Sequence, residues 1–186
     1  MNVAHTFKKG LKPQAFIDSM QKNQEQFIQW QDQFKWGNEE DRLFFESLQN
    51  RDDLRCMILA ADWCGDVIRN VPVVIRALEH SGIPIEILIF EQNLDTMDQF
   101  LTMGGRAIPI VIFADTGGFV LGQWGPRPAH VQSVMTQFKL DHPDREASDY
   151  QANIQVARAQ MMQKYGEGTD YQSMIVKELR ALLSTF

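Results

Sequence analysis

The chain has 186 residues, 44% of them apolar, a formal net charge of −6 and two cysteines. That length suits one domain with a packed core, and two cysteines are too few for a disulfide scaffold. The acidic balance argues against a nucleic-acid partner, which needs clustered Lys and Arg, and no apolar run reaches the ~18 residues that cross a membrane. Met1 to Gly10 carries lysines with no apolar segment or cleavage pattern after it, so no secretory signal is expected and cytoplasmic location is the default.

In chain order, residues 13–36 read as one helix with Phe16, Met20, Phe27, Trp30 and Phe34 on one face. Gly37-Asn38 breaks it, and Asn38 is the expected N-cap of a second helix through Leu48, with Asp41 in its first turn. Leu54 to Ala61 is a continuous apolar run, which suits a central strand covered on both faces. Trp63-Cys64-Gly65-Asp66-Val67 follows, and then Val67, Ile68, Val71, Val74, Ile75 and Leu78 recur at helical spacing up to Ser81-Gly82. Pro72 falls inside this helix, where a proline costs about 3 kcal/mol and introduces a kink. A strand is expected over Ile83 to Phe90 and a helix over Leu94 to Met103. Gly104-Gly105-Arg106-Ala107-Ile108-Pro109 then leads into a hairpin, Ile110–Ala114 and Phe119–Gln123, joined through Asp115-Thr116-Gly117-Gly118. After Trp124-Gly125-Pro126-Arg127-Pro128 a helix spans Ala129 to Leu140. From Asp144 two more helices are divided by Gly166-Glu167-Gly168. Ile154, Val156, Ala157, Met161 and Met162 are expected to line the first, and Met174, Ile175, Leu179, Leu182 and Leu183 the second.

The order β-α-β-α-β-β-α over residues 52 to 141, the Trp63-Cys64-Gly65 turn, Pro72 five residues beyond Val67, and Ile108-Pro109 ahead of the hairpin together resemble the thioredoxin family. The resemblance implies an α/β fold, a three-layer sandwich around a mixed central sheet. The expected organisation is a single domain, with a helical extension over 1–51, the core over 52–141 and C-terminal helices over 142–186. It also implies a cis bond before Pro109, which faces the active cysteine in the family. The backbone just before that proline pairs there with an extended substrate chain. Gly125 matches a further family position close to the cysteine.

The family's dithiol turn reads Trp-Cys-x-x-Cys, in which the first thiolate attacks a disulfide and the second thiol releases the intermediate. Here Cys64 holds the first position and Val67 the second. The buried acid and the lysine that serve the second cysteine in many thioredoxins fall on Ile58 and Ile87, so the resolving chemistry is lost as a set. The turn also differs from the Cys-Gly-Phe-Ser of monothiol glutaredoxins, so an iron–sulfur role is unsupported. A helix N-terminus favours the Cys64 thiolate, and Asp66 opposes it by repulsion. Arg106 and Arg127 are the candidates to restore a positive field. Trp63 and Trp124 are expected beside the cysteine, as a rim for a peptide or thiol ligand or as packing support. Cys56, a strand's length away at ~3.3 Å per residue, is expected to be a buried core residue out of disulfide range. His5, His80, His130 and His142 lack metal-ligand spacing, and neither glycine pair has the Lys-Ser/Thr of a phosphate loop, so no metal or cofactor is expected.

Two functions remain open. One is monothiol exchange through Cys64, with a low-molecular-weight thiol or a protein disulfide as partner. The other is a noncatalytic module that binds an extended segment beside Ile108-Pro109, with Trp63, Gly65, Asp66, Trp124 and Gly125 around it.

Overall fold

A computed structural model describes residues 1–186 and has an α/β architecture around one four-stranded sheet. The strands β1 (Leu54–Ala60), β2 (Ile85–Ile89), β3 (Ile110–Asp115) and β4 (Val120–Trp124) lie in the order β2-β1-β3-β4. β1 pairs parallel with β2 and antiparallel with β3, and β3 pairs antiparallel with β4. Every residue of β1 except Arg55 is buried, which is why its sequence is continuous rather than alternating. Ile58 lies directly opposite Ile87 across β1 and β2. Both are fully buried, so the two positions expected to have lost their ionisable groups form one apolar contact. Leu11 exchanges two backbone hydrogen bonds with Ile87, at 2.9 and 2.7 Å, and so covers part of the free edge of β2.

The helix expected over 13–36 is divided into α1 (Pro13–Ser19) and α2 (Gln24–Asp32). Asn23 takes a left-handed conformation (φ 59°) at the break. The Asp62 carboxylate accepts from the backbone N–H groups of Gln21 and Lys22, and Asn23 Nδ2 donates to the Asp62 carbonyl. Partners 40 residues away in sequence thus end the helix, although Phe16, Met20, Phe27 and Trp30 still reach the core. In α3 (Glu39–Ser47) Asn38 is the N-cap, its Oδ1 accepting from the Asp41 N–H at 2.7 Å.

α4 (Gly65–Leu78) runs from the Cys64 turn with Pro72 buried inside it. The helix expected over Leu94–Met103 is only one turn, α5 (Leu94–Met97). After it Thr102 and Gly105 pair across a tight turn, with Met103 and Gly104 both at positive φ, and a helix cannot continue through that backbone. α6 (Ala129–Asp141) packs against α7 (Tyr150–Tyr165), and α8 (Asp170–Leu183) packs against α4, α3 and β4.

In α7 the buried face is Tyr150, Ala157, Met161 and Tyr165, with Ile154 half-buried. Val156 and Met162, expected on that stripe, are 57% and 50% exposed. Val156 precedes the buried Ala157 and Met162 follows the buried Met161, so each is turned about 100° around the helix from its neighbour. In α8 Ile175, Leu179 and Leu183 are buried as expected, while Met174 faces solvent. One cluster of 43 buried residues contains the strand core together with Phe16, Phe27 and Phe45 of the N-terminal helices and Tyr171, Ile175 and Leu179 of α8.

Candidate functional site

Cys64 is the N-cap residue of α4, with an extended backbone (φ −88°, ψ 119°) at the end of the turn from β1. Its position follows from local sequence: a buried strand ends at Ala60, and the apolar spacing of a helix begins at Val67. The thiol is half-buried and donates to the carbonyl of Ile108 at 3.4 Å. The Ile108–Pro109 peptide bond is cis, as is Gly125–Pro126. Gly125 is packed on this proline. Its φ is +120°, and a Cβ added there would lie 2.3 Å from the Pro109 carbonyl oxygen. At this close approach the chain has room for glycine alone.

Burial is the largest influence on Cys64 and pushes its thiol above the ordinary range. The neighbouring Asp66 charge acts in the same direction, while the backbone N–H groups of Val67 and Asp66 and the Arg127 charge oppose it. The helix N-terminus therefore does favour the thiolate, as expected, but desolvation outweighs it. Cys56 lies in β1, is buried, and is pushed up by burial alone; the two cysteines are both free thiols. Val67, at the second position of the turn, is fully buried.

The two candidate arginines separate. Arg127 Nη2 and Nε donate to Asp66 Oδ2 at 2.5 and 3.1 Å, and Nη1 donates to Gln132 Oε1 at 2.7 Å. Burial works against the Arg127 charge, but the Asp66 carboxylate more than offsets it and raises the arginine above its ordinary value. Arg106 instead forms two hydrogen bonds with Asp98, at 2.6 and 2.7 Å, on the exposed surface. Arg106 is thus paired with Asp98, whereas Arg127 is the arginine whose charge favours the Cys64 thiolate.

The two tryptophans separate as well. Trp63 is 50% exposed, stacks edge-on against Phe90, and donates its indole N–H to Glu91 Oε1 at 2.6 Å. Trp124 is buried, and its indole N–H donates to Glu178 Oε2 on α8 at 2.7 Å. It is a packing residue that joins β4 to the C-terminal helix, not part of an exposed rim. Gly65 is exposed, with open space where a side chain would stand.

Sequence reasoning missed Tyr165 and Asn70. Tyr165 reaches the site from α7, 99 residues beyond Asp66, and its hydroxyl donates to Asp66 Oδ1 at 2.7 Å. Asn70 Nδ2 donates to that hydroxyl at 2.8 Å and to the Pro126 carbonyl at 3.1 Å. Burial, then the Asp66 charge, pushes the Tyr165 phenol upward, so it stays a neutral donor. A fully buried asparagine between the apolar positions of α4 was the one legible signal of this network. Nothing local marked Tyr165.

A family model described as Thioredoxin matches residues 10–139. Among solved structures, a protein of unknown function, PA1234 from Pseudomonas aeruginosa, is similar at 20% identity and a TM-score of 0.65, over 100% of this chain and 98% of that one. An HIV epitope-scaffold is similar at 18% identity and a TM-score of 0.65, over 100% of this chain and 99% of the other. No curated protein matches. At these identities the two structures speak for the fold alone.

Proposed function

The chain belongs to the thioredoxin family, and from that premise we propose that it exchanges thiols and disulfides through the single thiol of Cys64, with an outside thiol completing the cycle. One observation carries the reading: Cys64 Sγ stands 3.4 Å from the carbonyl before Pro109, in a half-buried turn with exposed Trp63 and Gly65 beside it. An extended substrate lying along Ile108-Pro109 would bring its sulfur to the thiol.

The cycle balances without a cofactor. Cys64 loses its proton to solvent, and the thiolate attacks one sulfur of a substrate disulfide. The substrate S–S bond breaks, a new S–S bond to Cys64 forms, and the second substrate sulfur leaves as thiolate. Val67 offers no thiol to break that bond, so a low-molecular-weight thiol attacks the substrate sulfur, returns Cys64 as thiolate and carries away the disulfide.

Incubation with glutathione disulfide, read by intact mass, should show one mixed disulfide at Cys64, with none on Cys64→Ser. Reduction of a protein disulfide should stay near background, and Val67→Cys should raise it. A second reading is supported by the burial that favours the neutral thiol and by its bond to Ile108: a noncatalytic module that binds an extended segment at Ile108-Pro109. If wild type and Cys64→Ser are indistinguishable in every thiol assay, that second reading replaces the first.

A further inference from the structure

The charged and titratable groups facing Cys64 come from three elements. Asp66 stands on α4, Arg127 on the segment between β4 and α6, and Tyr165, behind Asp66, on α7. Arg127 has a side-chain exposure of 9% and Asp66 of 17%, so this ion pair is largely shielded from water. Arg127 is close enough to the sulfur to favour its thiolate, yet two of its nitrogens point at Asp66 Oδ2 and the third at Gln132. Asp66 is held from its other side by Tyr165, which is itself held by Asn70.

We propose that Asp66, clamped by Arg127 and Tyr165, is a positioning residue that directs the Arg127 charge away from Cys64 and so holds the thiol in a low-reactivity state. Helix α7 takes part through Tyr165. This deepens the reading of Cys64 as the exchanging thiol and rests on it. A cationic group of a ligand or partner that takes the place of Arg127 on Asp66 would free the Arg127 charge and raise the reactivity of the sulfur without touching it. A purely structural role makes a different forecast: loosening either side of the pair would expose Cys64 and change its reactivity in the same direction.

The test is the rate of Cys64 alkylation by iodoacetamide against pH, on the full chain with Cys56→Ala as background. Asp66→Asn should raise the rate at neutral pH about tenfold and move the midpoint of the profile down, because a like charge is removed and Arg127 is freed. Arg127→Gln should lower the rate and move the midpoint up, since it leaves Asp66 unpaired beside the sulfur. The double variant should return towards the parent. If Arg127→Gln does not fold, Tyr165→Phe takes its place. Removing the donor leaves the Asp66 charge less neutralised, and the midpoint should again rise, opposite to Asp66→Asn. Shifts of the same sign in the two single variants, or no shift in either, would overturn the proposal. Alkylation needs no disulfide, so opposite shifts together with no mixed disulfide would overturn the exchange reading alone.

Discussion

Replacing Gly125 by alanine tests the packing that places Pro109 beside the thiol. At φ +120° an L-residue is held in a sparsely populated region, which costs about 1–3 kcal/mol. The new Cβ would also stand 2.3 Å from the Pro109 carbonyl oxygen and 3.4 Å from Ile110 Cα. These are backbone atoms, the second at the start of the central strand β3, so no side-chain rotation relieves the contact. Overpacking of this kind adds about 1–3 kcal/mol, for a total of about 2–6 kcal/mol. Against a typical stability of about 5–15 kcal/mol, that is a large loss. Urea denaturation followed by circular dichroism should show a lower midpoint with an unchanged slope. If the variant folds, relief must come from displacing Pro109, and the Ile108 carbonyl should move away from Cys64. A loss below about 1 kcal/mol, with Cys64 alkylating as in wild type, would refute the claim that this contact sets the position of Pro109.

Two further outcomes follow from the thiols. In the native protein one equivalent of a thiol reagent should react at Cys64, and Cys56, 1% exposed in the middle of the sheet, should react after unfolding; equal rates at both would contradict that placement. Both thiols are pushed upward by burial, so the folded state favours their neutral forms. Their contribution to stability is whole below the ordinary thiol value of about 8.5 and is lost as pH rises through the higher folded values. Tyr171, pushed up by burial to about 12, acts in the same sense at higher pH. The urea midpoint should therefore fall between pH 8 and pH 10.5, and a midpoint that rises over that range would contradict the direction.

The order of strands and helices from β1 to α6 was readable because it rests on short-range patterns. A continuous apolar run, helical spacing from Val67 to Leu78, and a glycine turn before Phe119 each act within a few residues. The Cys64 turn was readable for the same reason. Where the chain departs from those patterns, distant partners decide. Asp62 ends α1 from 40 residues away, against helical periodicity that runs through the break. The sequence named Arg106 and Arg127 as equals, and Trp63 and Trp124 likewise. Asp98 captures one arginine at the surface, while Asp66 captures the other beside the sulfur, and Glu178 draws one indole inward while Glu91 leaves the other exposed. The state of the thiol belongs to the tertiary structure too. The helix N-terminus and Asp66 were visible as local influences, but burial exceeds both, and part of the cover on Cys64 comes from Ile108, 44 residues away in sequence. No short stretch of sequence encodes that burial, because desolvation depends on all neighbours at once and Tyr165 arrives from 99 residues beyond the carboxylate it holds.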